Sequence, residues 1–135
     1  MISVIGATGK YIVQPELIEK HIKTLNGLSS CMLWKSEIRA FQKVLGQSSQ
    51  RVTATDDKKK VDHFQNLILY YGGEVIDGLR KKLRDHENHL AKMLESENES
   101  DIQYYKEHDA IMDELDTFSN QFKQFRGELI EFVEK

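Results

Sequence analysis

Apolar residues recur at alternating spacings of three and four along most of the chain after Pro15. This spacing places side chains on one face of a helix, so it predicts amphipathic helices rather than strands. The predicted helices lie near residues 15–46, 57–95 and 101–134. The first helix could be split at Asn26-Gly27 into two shorter helices, and we favour one bent helix.

Each predicted helix carries an apolar stripe that must be buried. In the first helix the stripe contains Leu17, Ile22, Leu25, Leu28, Met32, Trp34, Ile38, Phe41 and Leu45. In the second it contains Val61, Phe64, Ile68, Tyr71, Val75, Leu79, Leu83, His86, Leu90 and Met93. In the third it contains Tyr105, His108, Ile111, Leu115, Phe118, Phe122, Phe125, Leu129 and Phe132. Long helices with short connections bury such stripes against one another, which predicts an all-α, antiparallel up-down-up bundle.

Two polar segments, 46–57 and 95–101, separate the predicted helices. The residues predicted to cap helix ends are Gly46 for the first helix, Thr55 or Asp56 for the second, and Ser100 or Asp101 for the third. Gly72, Gly73 and Gly78 lie inside the second stripe, where glycine disfavours a helix. We expect these glycines to permit a kink or the close approach of a neighbouring helix rather than to break the helix.

The first residues of the chain contain a glycine-rich turn, VIGATGK at positions 4–10. It resembles the start of an NAD(P)-binding short-chain reductase, which would imply a dinucleotide site. That site needs a third glycine, where this chain has Ile12, and a strand–helix–strand unit, where this chain has Pro15 followed by helical patterning. We therefore discard the resemblance and predict an extended arm at residues 1–14, followed by a helical bundle domain at 15–135.

Composition narrows the class of protein. The chain has 135 residues, of which 39% are hydrophobic and 30% charged, and its net charge is -3. A single domain of this size can build its own core, and the absence of a basic excess argues against a nucleic-acid partner. No apolar run is long enough to span a membrane. With one cysteine, Cys31, and no signal peptide pattern, we expect a cytoplasmic protein.

Histidines are the main chemical feature of the predicted core. His21, His86 and His108 each lie within a different apolar stripe, so we expect all three to point inward. An antiparallel hairpin that turns at Asn98 places His108 opposite His89 and about one turn from His86. The same reasoning for the first two helices brings His21 near this level.

A metal site is one hypothesis for these histidines. The candidate ligands are His86, His89, His108 and His21, with Glu87, Asp109 or Asp113 to orient or complete the set. Imidazole and carboxylate ligands suit Zn²⁺ or a non-haem iron. His108 with Asp113 resembles the H-x-x-x-x-D segment of hemerythrin. The other ligand segments of that family, H-x-x-x-E and H-x-x-x-H, are absent, so none of its function is carried over.

A structural polar layer is the other hypothesis, and it is the one we expect. In this layer the histidines would be hydrogen-bonded to carboxylates or to the backbone and would set the register of the helices. The sequence offers no nucleophile beside a base and no phosphate loop. It therefore favours a non-enzymatic interaction or scaffolding protein without a cofactor, which forms homo-oligomers or binds a helical partner. A metal-binding helical bundle is the alternative.

Overall fold

The structure is a computed structural model that describes residues 14–134, so the predicted arm at 1–14 lies outside the described residues except for Gln14. All regular structure in this part of the chain is helical, in agreement with the predicted fold class. The α-helices are α1 (Pro15–Ser49), α2 (Thr55–Tyr70), α3 (Ile76–Glu95) and α4 (Ile102–Val133). A π-helical turn at Tyr71–Val75 joins α2 to α3.

The first helix is continuous. Pro15 occupies its first turn, where the missing N–H of proline costs no hydrogen bond. The helix passes through Asn26-Gly27 without a break, so the split form of the first helix is wrong. It also passes through Gly46, the predicted cap, and ends three residues later at Ser49.

The second predicted helix contains the π-helical turn at Gly72-Gly73 and is not broken there. Gly72 meets α1 closely, because a Cβ at this position would lie 3.1 Å from Cγ2 of Ile38. The ammonium group of Lys35 donates to the carbonyl of Gly72 and to Asp77. A lysine from α1 thus satisfies a carbonyl in the irregular turn, where the α-helical hydrogen-bond ladder is interrupted.

The predicted cap at the start of α4 is confirmed, whereas the predicted caps at the start of α2 are wrong. Ala54 is the residue before α2 and makes no side-chain cap, so the predicted caps Thr55 and Asp56 are wrong, and both lie inside the helix. Asp101 caps α4 by accepting from the backbone N–H of Gln103 at 3.0 Å. Asp101 can do this because its short carboxylate reaches the free amides of the first turn.

The turn between α3 and α4 closes the end of α3 with backbone hydrogen bonds. The N–H of Asn98 donates to the carbonyl of Met93 at 2.8 Å, across the last turn of the helix. This requires a left-handed backbone at Glu97, whose φ is 55°. Glycine is the usual residue for such a helix end, and here a glutamate adopts the conformation instead.

Contacts between helices follow a regular order. Residues late in α3 contact residues early in α4, and α1 contacts α4 in the same direction along both helices. Examples are His86–His108 and Lys82–Glu114 between α3 and α4, and Trp34–Phe118 and Phe41–Phe125 between α1 and α4. Four phenylalanines of α4, which we call the phenylalanine ladder, are Phe118, Phe122, Phe125 and Phe132. The ladder faces both other helical regions, because Phe118 contacts Trp34 of α1 and Phe125 contacts Phe64 of α2.

Two clusters of buried side chains form the core. The larger one contains the aromatic residues Trp34, Phe64, Phe118, Phe122 and Phe125, with aliphatic residues from every helix around them. The smaller one lies near the turn between α3 and α4 and contains Leu17, Leu90, Met93 and Tyr104. Tyr104 is fully buried, whereas its neighbour Tyr105, which the predicted stripe contained, is only partly buried.

Three residues in the first half of the predicted α1 stripe are not buried. Ile22, Leu25 and Met32 are 50%, 44% and 64% exposed, so their assignment to the core is wrong. The buried face of this half instead carries small side chains, including Thr24, and Gly27. A Cβ at Gly27 would lie 2.9 Å from Cδ1 of Leu115 in α4, and the side chain of Leu83 in α3 is also in contact. Small residues therefore face the core because they let three helices meet closely.

Substitution of Gly27 by leucine tests this close approach. We expect Gly27→Leu to lower the free energy of unfolding by about 1–3 kcal/mol, because the added side chain overpacks a site already filled by Leu83 and Leu115. Gly46→Leu is the matched control in the same helix. A Cβ at Gly46 meets nothing within 4 Å, so this change should raise stability by up to about 1 kcal/mol through helix propensity. Urea unfolding followed by circular dichroism measures both, and equal effects would contradict the packing described.

Candidate functional site

A buried histidine pair joins α3 to α4. His86 is fully buried and His108 is nearly so. Nε2 of His86 lies 2.9 Å from Nδ1 of His108, and Nδ1 of His86 lies 2.5 Å from Oε1 of Glu107. Two of the predicted site residues, His86 and His108, therefore meet directly, and Glu107 extends the pair to the edge of the core.

The direction of these hydrogen bonds follows from the chemistry of the groups. The ionised carboxylate of Glu107 can only accept, so the Nδ1–H of His86 donates to it. With both rings neutral, Nε2 of His86 then carries a lone pair and accepts from the Nδ1–H of His108. Both ring nitrogens of His86 are thus occupied by partners within the protein.

His89 belongs to the same network but lies nearer to solvent. Its Nε2 is 2.9 Å from Oδ2 of Asp101, and its Nδ1 is 3.5 Å from Oε1 of Glu107. The hydrogen bond to Asp101 raises the pKa of His89 above its usual value, and the same contact lowers the pKa of Asp101. Asp101 thereby links the histidine network to the start of α4, which it also caps.

Tyr104 covers the inner side of the network. Its ring stacks on His86 with centroids 4.2 Å apart and planes 6° from parallel. Burial raises the pKa of the Tyr104 hydroxyl, which has no hydrogen-bond partner among the described residues. The predicted stripe did not include Tyr104. Its position four residues before His108, one helical turn away, is a signal that could have found it.

His21 does not point into the core as expected. Its side chain is 42% exposed, and Nδ1 lies 2.6 Å from Oε2 of Glu87 on α3. This contact is close enough for an ion pair but lies outside hydrogen-bond geometry, since Nδ1 has no hydrogen-bond partner. His21 therefore contacts α3 at the edge of the helix pair and is separate from the pair formed by His86 and His108.

The network differs from the predicted partner set. Glu87 pairs with His21, whereas Glu107 and Asp101, which the sequence reasoning did not single out, hold His86 and His89. Within residues 14–134, no group of three or more histidine, cysteine, aspartate or glutamate side chains is placed to hold a metal ion. The metal site stays a prediction from sequence, and binding would require His86 to release a hydrogen bond.

The outer side of α1 is the second feature of functional interest. Five large apolar side chains are exposed there, and we call them together the α1 outer face: Ile18, Ile22, Leu25, Met32 and Leu33. Their spacing places them within about 100° of the helix circumference, on the side opposite the buried residues of the same helix. A helix that is apolar on two sides has a second surface to bury.

Comparisons of the chain with protein-family models, with curated proteins and with solved structures find no match. Among residues 14–134, no helix has both the length and the apolar content that crossing a membrane requires.

Metal content tests the metal hypothesis directly. We expect protein purified after metal-supplemented expression to contain no stoichiometric zinc or iron, because both ring nitrogens of His86 already have partners. His108→Ala should then only lower the melting temperature, with a loss of about 1–3 kcal/mol because Nε2 of His86 is left without a partner. Elemental analysis and thermal unfolding measure the two effects. A near-stoichiometric metal that His108→Ala removes would instead establish the metal site.

The protonation of His108 predicts how stability depends on pH. Burial, followed by repulsion from His86 and Lys20, lowers the pKa of His108 from 6.5 to about 4, while Asp109 acts in the opposite direction. Lys23 adds a smaller repulsion. The unfolded chain therefore binds more protons than the folded chain between these two pH values. The contribution is fully present above pH 6.5 and is lost as the pH falls towards 4.

We expect His108→Asn to reduce the loss of stability between pH 6.5 and pH 4. The amide of asparagine can still hydrogen-bond to His86 but does not titrate. The free energy of unfolding should therefore fall by up to about 3 kcal/mol less than in the wild type between pH 6.5 and pH 4. Denaturant unfolding at several pH values gives the slope of the free energy of unfolding against pH. The exposed His63 supplies the control His63→Asn, which should keep the wild-type slope. An unchanged slope in His108→Asn would show that His108 is not the titrating group.

Proposed function

We propose that this protein is a non-enzymatic interaction protein that self-associates through the α1 outer face. The observation that carries the proposal is the exposure of Ile18, Ile22, Leu25, Met32 and Leu33 on one side of one helix. Contiguous apolar surface of this kind marks interaction sites in soluble proteins. The proposed location is the cytoplasm, which suits a chain whose one cysteine is free and buried.

The proposed arrangement of the helices is an up-down-up antiparallel bundle. The order of contacts supports it. The end of α3 contacts the start of α4, as in an antiparallel pair, whereas α1 and α4 run in the same direction. In this arrangement α1 packs on both other long helices with one face. Its opposite face then lies along the outside of the bundle.

The α1 outer face lacks charge over its whole length. Helical positions within about 80° of its centre line carry no lysine, arginine, aspartate or glutamate between Ile18 and Ser36. The residues at these positions are Ile18, His21, Ile22, Leu25, Asn26, Ser29, Met32, Leu33 and Ser36, of which His21 contacts Glu87 of α3 at the edge of the strip. In a chain with 30% charged residues, an uncharged strip about 27 Å long is typical of a surface that is covered in the functional state.

A second copy of the chain is the proposed occupant of this face. An uncharged apolar strip is complementary to itself, and a two-fold interface places the same patch on both partners. Ser29 and Ser36 interrupt the large side chains at heptad-like positions, where small residues let two helices approach. One helix pair of this length buries roughly 1,000 Å² in total, at the low end of specific interfaces, so a dimer with micromolar affinity is expected.

The non-enzymatic character is supported by the state of Cys31. This thiol is fully buried, and burial raises its pKa to about 11. A thiol with this pKa stays protonated at neutral pH, whereas the thiolate is the nucleophilic form. Cys31 therefore acts as a small packed apolar residue.

Charge placed on the α1 outer face tests self-association. We expect the wild type to be a dimer at tens of micromolar concentration and Leu25→Glu to be a monomer, because the interface would bury an unpaired carboxylate. Circular dichroism should be unchanged, since Leu25 is 44% exposed in the single chain. Light scattering coupled to size-exclusion chromatography, over a hundredfold range of concentration, measures the mass.

Leu69→Glu is the matched control. Leu69 is also an exposed leucine, on α2 and away from the α1 outer face, so its change to glutamate should leave the dimer intact. A wild type that stays monomeric up to about 500 µM would contradict self-association, since dimers of this interface size reach micromolar affinity. A dimer that Leu69→Glu disrupts and Leu25→Glu does not would place the interface elsewhere.

A further inference from the structure

A long groove lies between α4 and the continuous helical segment formed by α2, the π-helical turn and α3. It runs along the π-helical turn and the start of α3 on one side and the middle of α4 on the other, and its volume is about 680 Å³. The partly buried Tyr71 and Val75 form an apolar floor, and Leu79 and Phe118 lie buried beneath them. The lining extends from Leu67 to Lys82, which corresponds to about 22 Å along a helix axis or roughly four helical turns.

The groove is open because its walls carry small side chains at the middle. A Cβ added to Gly78 would meet nothing within 4 Å, although Gly78 lies inside a helix that packs on two others. Thr117 lines the groove from α4. The π-helical turn contributes Tyr71 and Glu74, and irregular turns of this type are frequent at functional sites.

Charge in the groove is negative. Glu74 and Asp113 line it, are exposed, and form no ion pair with the described residues. Glu114 is already neutralised, because the ammonium of Lys82 lies 2.9 Å from both of its carboxylate oxygens. Two carboxylates thus stand beside an apolar floor without a cation of their own.

Aromatic side chains give the groove a second means of holding a cation. Tyr70 lines it and is 51% exposed, next to the partly buried Tyr71. A guanidinium or ammonium group is attracted to the face of an aromatic ring as well as to a carboxylate. An apolar floor with acidic and aromatic walls is therefore complementary to a helix with apolar and basic side chains.

We propose that this groove binds a basic amphipathic helix of a partner protein. Apolar residues of that helix, spaced at three and four, cover the floor formed by Tyr71 and Val75, and its arginine or lysine side chains reach Glu74 and Asp113. This is recognition of a helix in a groove, where apolar anchors supply the affinity and charges set the orientation. The inference goes beyond self-association, because the groove shares no residue with the α1 outer face.

Two synthetic peptides test the proposal on the full chain. Both are amidated 14-residue helices with leucines at the same positions, and the remaining exposed positions carry arginine in one peptide and glutamate in the other. We expect the arginine peptide to bind with a dissociation constant of tens of micromolar and the glutamate peptide at least about tenfold more weakly. Fluorescence anisotropy of labelled peptides measures both. Equal binding of the two peptides, or no binding of the arginine peptide at 1 mM, would overturn the proposal.

Variants of the chain locate the binding. Gly78→Met fills the groove and should weaken binding of the arginine peptide at least about tenfold. Gly73→Met is the control, because Gly73 also has open space around it but lies outside the groove, and it should leave binding unchanged. The double change Glu74→Gln and Asp113→Asn leaves the shape intact and should weaken binding by a similar factor. Wild-type binding in Gly78→Met or in the double variant overturns the proposal.

Leu25→Glu separates this inference from the proposed self-association. Peptide binding should persist in Leu25→Glu, whether this variant is a monomer or a dimer, because Leu25 lies outside the groove. Loss of peptide binding in Leu25→Glu would instead place the peptide on the α1 outer face and overturn the groove. A change in the mass of the protein caused by Gly78→Met would mean that a second copy occupies the groove, which also overturns the proposal.

Discussion

The close packing of α1 at Gly27 is the constraint on which the rest of this structure depends. With only hydrogen as a side chain, Gly27 lets Leu83 of α3 and Leu115 of α4 approach the backbone of α1 from two sides. This contact sets the rotation of α1 about its own axis, because only the face with small residues fits there. Once that face is buried, the opposite face, with Leu25 at its centre, is turned to solvent.

The histidine network favours one register of α4 against α3, because its hydrogen bonds join specific residues of the two helices. The phenylalanine ladder of α4 repeats every three or four residues, so a slip by one turn would still bring apolar rings together. The contacts of His86 with His108 and Glu107 belong to one register, because a slip by one turn would bring His89 rather than His86 to His108. A slip would leave the buried nitrogen of His86 without a partner, and an unpaired buried polar group costs about 1–3 kcal/mol. Glu107 and Asp101 add the same kind of selectivity at the edge of the core.

Two surfaces of different chemistry result from this core. The α1 outer face is uncharged and is proposed to bind a copy of itself. The groove beside the π-helical turn carries Glu74 and Asp113, which form no ion pair within residues 14–134, and is proposed to bind a basic partner. The irregular turn is held in place by Lys35, whose ammonium group contacts both the Gly72 carbonyl and Asp77. The same helix that presents the apolar strip therefore also supports one wall of the groove. A scaffolding role with two kinds of contact is consistent with this arrangement.

Helix content, the three long helical regions and the burial of His86 and His108 followed from the sequence, because apolar periodicity and a single proline are local properties. The partners of the histidines did not follow, since a rotation of a helix by a few tens of degrees decides whether Glu107 or a neighbouring acid meets His86. Only the tertiary structure decided which side of α1 is buried around Leu25 and Gly27. Leu25 is more hydrophobic than Gly27, but only a residue as small as Gly27 fits where the three helices approach each other closely.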